Sequence, residues 1–326
     1  MKLGQLSPVP IVTLALASAA FYACSATGDG SHFGAGGAGG MSAADGLAGT
    51  LTANSSGDGL FDGGPGSSTG SGGPGCAAEA QYVYTLDEFR QLYKFDPPTL
   101  TFTLIGTINC PSIATPYSMG VSRDATAWVV YTSGELFQVD TKTAACKSTS
   151  FVPGQSGFTS FGMGFSTNAP GSTDETLYVS ESTAGSGNTK GLAKIDLTTM
   201  KLVPIGMYDK VTARAEMTGT GDARLFGAFE GMPYQVDEIS KSDAKILSQA
   251  PQPGVGSLPG ASNFAFAFWG GSFYLFFGDG TYTDVWKYDP MAKTTTDVKK
   301  TVIVNGTKVI IVGAGVSTCA PTKPPA

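Results

Sequence analysis

Histidine occurs once in the 326 residues, at His32, inside a Gly/Ser-rich stretch. A Ser-His-Asp triad, a Cys-His pair and a histidine-rich zinc site therefore lack their central residue in the rest of the chain. Carboxylates, lysines and tyrosines remain as groups that move protons. Two carboxylates facing one pocket would suit hydrolysis or elimination on a polysaccharide. One acid stands out. Glu216 sits in Ala215-Glu-Met-Thr-Gly-Thr-Gly221, a strand-like run of small residues that otherwise carries no charge. Five further acids, Glu88, Glu135, Glu181, Glu230 and Asp279, each follow an apolar, strand-like run, with Phe89, Phe229 and Tyr282 close by. On equivalent turns they form an acidic, partly aromatic rim that would attract a cation, an amine or a sugar. Convergence of the five would raise some of their pKa values, and their hard oxygen ligands would favour calcium over zinc. Asn54-x-Ser-x-Asp58-Gly hints at a calcium loop, but Pro65 stands where its closing carboxylate belongs. No other metal-ligand set is evident.

The elements that position these acids repeat. The phrase aliphatic-x-x-apolar-Asp recurs as Leu92-Tyr-Lys-Phe-Asp96, Leu136-Phe-Gln-Val-Asp140, Leu192-Ala-Lys-Ile-Asp196, Val236-Asp-Glu-Ile-Ser240 and Val285-Trp-Lys-Tyr-Asp289, at spacings of 44 to 56 residues. That is the length of one four-stranded propeller blade. Upstream of each phrase is a β-branched or aromatic run suited to a middle strand. Further upstream lies a run of small residues, such as Met119-Gly-Val-Ser122 and Met163-Gly-Phe-Ser166. Small residues suit an inner strand, where blades crowd about the axis. The Asp that ends four of the five phrases (Asp96, Asp140, Asp196 and Asp289) is placed to accept hydrogen bonds from amides two or three residues on, which favours a turn.

The first repeat lacks an inner strand. Val312-Gly-Ala-Gly-Val-Ser317 matches Tyr117-Ser-Met-Gly-Val-Ser122 of the second repeat, so residues near 308–317 are expected to complete the first blade and close the ring. The predicted fold is all-β: a five-bladed propeller of four-stranded blades spanning residues 76–321. Glu216, on an inner strand, would point toward the central channel, where structural water or backbone amides are its simplest partners.

Residues 1–24 read as a targeting segment. Lys2 precedes an apolar core from Ile11 to Tyr22, too short to span a bilayer permanently. The leader resembles a bacterial lipoprotein signal, with Cys24 as the acylated residue, although Phe21 and Tyr22 depart from the usual pattern; ordinary cleavage and release is the alternative. Residues 25–75 are rich in Gly and Ser and should form a flexible tether, and 322–326 a flexible tail. With Cys24 set aside, Cys76, Cys110, Cys146 and Cys319 remain, an even number that suits disulfides in an exported chain. Cys76 opens the propeller and Cys319 closes it, so their pairing would staple the ring. Cys110–Cys146 then follows, yet simple blade geometry puts those two on opposite faces. The net charge is −6, and no Lys/Arg cluster occurs, which argues against nucleic acid as partner.

The repeat phrases, the leader and the ending Gly313-Ala-Gly-Val-Ser-Thr-Cys-Ala-Pro321 resemble bacterial exported β-propeller lipoproteins and, more distantly, quinoprotein, YncE-like and TolB-like propellers. The resemblance covers about residues 80–321 and transfers no catalytic residue. The residues favour a monomeric, non-enzymatic binding or scaffolding module for a protein or glycan, held on the lipid bilayer of the outer membrane or released to the periplasm or cell surface; in the lipoproteins that the leader resembles, a residue such as Ser25 after the Cys goes with outer-membrane sorting. The alternative is the carboxylate-dependent hydrolase or lyase described above.

Overall fold

The computed structural model describes residues 74–182, 189–255 and 263–325. Cys24, the 25–73 part of the tether and the Asn54 loop lie outside the described residues. Within them the repeats form five antiparallel blades. Blade 2 runs outward through Pro116–Val121, Thr126–Tyr131, Leu136–Asp140 and Cys146–Ser148. Blade 3 uses Phe161–Thr167, Glu175–Glu181, Leu192–Asp196 and Lys201–Gly206. Blade 4 uses Ala215–Gly219, Leu225–Phe229 and Tyr234–Ile239, with its outer position shared by Ile246–Ser248 and Pro251–Gln252. Blade 5 uses Asn263–Trp269, Ser272–Gly278, Thr283–Asp289 and Thr294–Lys299. Blade 1 takes Val83–Asp87, Gln91–Asp96 and Thr101–Thr107 from the start of the domain and Ile311–Val316 from its end. The last strand pairs antiparallel with the first, Val83 opposite Val316 and Leu86 opposite Gly313. Each inner strand lies against the inner strands of both neighbouring blades, so the ring is closed.

Crowding at the axis explains the small residues. A Cβ on Gly162 would stand 2.1 Å from the carbonyl oxygen of Ala215, and one on Gly219 would stand 2.2 Å from that of Phe165. Only glycine permits these strands to approach so closely. Farther out, aromatic side chains fill the seams. Phe95, Phe102, Tyr274 and Phe276 interlock between blades 1 and 5, with Phe95 centred 4.5 Å from Phe102 and 5.5 Å from Phe276. Burying each ring contributes roughly 1.5–3 kcal/mol. The expected Asp turns form with amide donors at three of the four sites; at Asp96, followed by two prolines that have no N–H, the donor is the Thr99 hydroxyl at 2.5 Å. Asp140 Oδ1 accepts from the amides of Lys142 (2.8 Å) and Thr143 (2.9 Å), and Asp196 and Asp289 repeat the arrangement.

Cys76–Cys319 is bonded, and it joins the start of the domain to the residues just past the closing strand. Cys110–Cys146 is also bonded, with Cα atoms 5.2 Å apart. The expected separation onto opposite faces is therefore corrected. After the outer strand of blade 1 the chain does not stay over the face. Ile108 and Cys110 turn down into the seam between blades 1 and 2, buried in one cluster with Val129, Val139 and Ala144 and packed against Cys146.

The antiparallel order fixes two faces. The turns between the second and third strands of each blade, and the connections from one blade to the next, lie on one face, here the upper. The remaining turns form the lower face.

Candidate functional site

A cavity of about 510 Å³ opens at the upper mouth of the channel. Its walls come from four blades: Glu88, Phe89 and Val312 from blade 1, Thr115 to Tyr117 and Thr132 from blade 2, Arg214 and Glu216 from blade 4, and Asn263 and Phe264 from blade 5. The lining residues cluster at the upper ends of inner strands because those ends converge on the axis.

Glu216 is 3% exposed. Its Oε2 accepts a hydrogen bond from Ser118 Oγ of blade 2 at 2.6 Å, and Ser118 Oγ in turn accepts from the Met163 amide of blade 3 at 3.2 Å. Its Oε1 has no hydrogen-bond partner among the described residues. Burial raises the Glu216 pKa from 4.5 to about 8, against the lowering effects of Ser118 and the Arg214 charge. Burial thus favours the neutral, protonated form of this carboxyl.

Arg214 is tied up. Its Nε donates to Glu230 Oε2 at 2.5 Å and its Nη2 to Glu230 Oε1 at 3.1 Å, a two-pronged pair. Nη1 reaches the Tyr117 hydroxyl at 3.4 Å, and the guanidinium lies 5.6 Å from the Phe264 ring centre. Tyr117 also hydrogen-bonds Ser182 Oγ of blade 3. Burial works against the Arg214 charge, but the Glu230 hydrogen bond outweighs it. The Arg214–Glu230 pair is thus internally neutral, and Glu88, also on the cavity wall, makes no ion pair among the described residues.

The five rim acids all occupy the upper face, as the repeats predict, but they do not share one function. Glu88 alone of the five lines the cavity. Glu230 is bound to Arg214. Glu135 accepts from Ser112 Oγ (2.5 Å) and Ser133 Oγ (2.7 Å), and these hydroxyls lower its pKa. Asp279 accepts from the amide and hydroxyl of Thr281, which likewise lower its pKa. Glu181 is 1% exposed at the end of its strand and accepts from the Lys190 amide. The expected pKa rise from mutual repulsion is not what governs Glu135 and Asp279; local hydroxyl donors are. Among the described residues no three His, Cys, Asp or Glu side chains are grouped to hold a metal ion.

Sequence reasoning singled out Glu216 and Glu88 but missed Ser118, Tyr117, Arg214, Asn263 and Phe264. A signal for Ser118 was present. Aligning the inner strands puts Ser118, Gly162, Glu216 and Gly313 at one repeat position. That position faces the crowded axis and holds only Ala265 in the fifth blade, so the two polar side chains there, Ser118 and Glu216, meet.

The lower mouth is built differently. Glu175 Oε1 accepts from the Arg123 amide (2.7 Å) and Oε2 from Thr318 Oγ1 (2.8 Å). Arg123 also donates to Thr318 Oγ1 and to the carbonyl of Pro74. The tail past the closing strand crosses this face, where the Gly270 amide donates to the Pro321 carbonyl at 2.7 Å.

No family model matches the chain, and no curated protein matches it. Several solved structures are similar to it. One is the Dos1 propeller, at 12% identity over 74% of this chain and 71% of that one, with a TM-score of 0.39. Another is TolB from Acinetobacter baumannii, at 15% identity and TM-score 0.39; the match covers 68% of this chain and about half (53%) of TolB. A protein of unknown function from Bacteroides caccae matches at 10% identity over 71% of this chain and 77% of its own, with a TM-score of 0.37.

Proposed function

We propose that the folded domain is a binding module that takes its ligand into the open upper mouth of the channel. In this reading the 25–75 segment tethers it to the outer membrane through an acylated Cys24, where the partner is a protein or glycan outside the membrane. One observation carries it: a cavity built by four blades holds a buried glutamate, Glu216, one oxygen of which has no hydrogen-bond partner among the described residues. A polar group at the wall of a cavity, on an otherwise buried side chain, is suited to fix a ligand there. The two disulfides suit the oxidising surroundings of an exported chain. Calorimetry of the full chain against amines, oligosaccharides and divalent cations tests the reading. Binding that is lost in Glu216→Gln and kept in Asp279→Asn, on the same face but off the cavity wall, supports it. Binding that is indifferent to Glu216 contradicts it.

A second reading has its own observation. Glu88 and Glu216 line the same cavity, and Glu216 keeps its proton to about pH 8, as a general acid must. Reducing ends released from a polysaccharide by the native protein, but not by Glu216→Gln, would favour hydrolysis.

A further inference from the structure

The upper face carries apolar side chains that the fold does not use. Phe89, Ile113, Val152, Met207, Met232 and Ile303 are exposed by 53% or more, and all sit on upper turns or interblade connections. Of the other large exposed apolar side chains among the described residues, Leu104, Val203 and Leu247 lie on outer strands and Met291 on a lower turn. The exposed apolar surface is thus concentrated on the face that holds the cavity, and Phe89 belongs to both. Aliphatic and thioether side chains of this kind cover polypeptide. A sugar is held by flat rings and hydrogen-bonding groups, and gains little from Ile, Val and Met.

The cavity at the centre of this face is anionic in balance. Arg214 and Glu230 cancel each other, while Glu88 makes no ion pair among the described residues and Glu216 can give up its proton. Tyr117, Phe264 and Phe89 offer aromatic rings to an incoming group. Resting on the reading of this cavity as a binding site, we propose that the partner is a protein that inserts a lysine side chain into the cavity while its apolar surroundings cover the exposed side chains of the upper face. The lysine methylenes would lie along the rings, and the ammonium would meet Glu216 Oε1 and Glu88.

The arrival of a cation has a protonic consequence. Glu216 accepts from Ser118 of blade 2, feels the Arg214 charge on its own strand and lies near Tyr117 of blade 2, while Glu88 of blade 1 lines the same cavity. An added ammonium favours its ionised form, so binding near neutral pH should expel about one proton, and affinity should rise with pH until Glu216 is ionised in the free protein.

The probe is the peptide acetyl-Gly-Leu-Lys-Leu-Gly-amide, titrated into the full chain by calorimetry in two buffers of different ionisation enthalpy. Its norleucine counterpart and a neutral oligosaccharide serve as controls. The proposal expects binding of the lysine peptide with release of about one proton at pH 7. It expects affinity at least about thirtyfold weaker for the norleucine peptide and for Glu216→Gln, the loss that follows removal of one partner of a buried charge pair. Glu216→Gln should also show no proton release. Should that variant not fold, Glu88→Gln at the half-buried rim should weaken the lysine peptide alone. Equal binding of the two peptides overturns the proposal. Binding of the oligosaccharide alone, sensitive to Glu216, overturns it and leaves the cavity a binding site. Binding of no probe overturns the proposal and counts against the reading beneath it.

Discussion

The two mouths of the channel each hold a glutamate, half-buried at the lower mouth and buried at the upper, and the two do opposite things. At the lower mouth both oxygens of Glu175 are occupied, one by the Arg123 amide and one by the Thr318 hydroxyl. Around it, the Cys76–Cys319 bond and the tail anchored at Pro321 finish the closure. At the upper mouth Glu216, which lines the cavity, has one oxygen held by Ser118 and one with no hydrogen-bond partner among the described residues. Burial raises both pKa values, Glu175 to about 7 and Glu216 to about 8. A raised pKa therefore does not separate a structural acid from an available one. The bonds that complete the carboxyl do.

The sharpest way to break the contrast is to reopen the ring. Removing residues 309–326 takes away the inner strand of blade 1 and the whole lower closure. The exposed edge of Val83–Asp87 should then drive aggregation, visible as loss of monomer in size-exclusion chromatography. A soluble monomer with native strand content would contradict the closure.

Next in size is the staple. Cys76 and Cys319 are 243 residues apart, and the chain-entropy account assigns a closure of that length about 5 kcal/mol, an upper figure. Cys76→Ser/Cys319→Ser should melt well below the native protein. Ligand binding at the upper mouth, measured at a temperature where both are folded, should be unchanged. An unchanged melting temperature would show that the staple does not stabilise the fold.

The acids give a smaller effect whose sign is fixed. The native state keeps protons on Glu175 and Glu216 that the unfolded chain has released above about pH 4.5. Between that pH and about 8 the native state binds more protons, so stability falls as pH rises. The contribution is fully present below pH 4.5 and lost by the time pH passes each folded value. Glu216→Gln removes its share, at most a few kcal/mol, so its melting temperature should exceed that of the native protein at pH 9 and match it at pH 5. A constant difference across that range would show that Glu216 does not titrate as described.

The smallest effect on stability belongs to Phe89, 65% exposed at the cavity edge. Phe89→Ala should shift stability by under about 0.5 kcal/mol and still weaken whatever binds the cavity, a split that chemical denaturation and calorimetry would read together.

The blades were legible because each is written in contiguous sequence. The Asp that ends a third strand caps its own turn, as at Asp140, and a glycine that another backbone excludes must be glycine, as at Gly162. Ring closure was legible because Val312 to Ser317 repeats Tyr117 to Ser122. Glu216 was legible as the one charge in an inner strand. Its surroundings were not, since Ser118 lies 98 positions away and Tyr117 97 positions from Arg214. Such contacts are set by how blades close around an axis, which local periodicity does not encode. The even rim of five acids was the costlier simplification. Repeat position placed Glu88 and Glu230 alike, but Arg214 neutralises one and leaves the other.

The most direct test is a carbon NMR titration of the Glu216 side-chain carboxyl in the full chain, assigned by its loss in Glu216→Gln. The account predicts a midpoint of about 8 in the free protein, moving lower when the lysine peptide is present. A midpoint near 4.5 that does not respond to the peptide would contradict the claim that the upper mouth is a binding site built on this carboxyl.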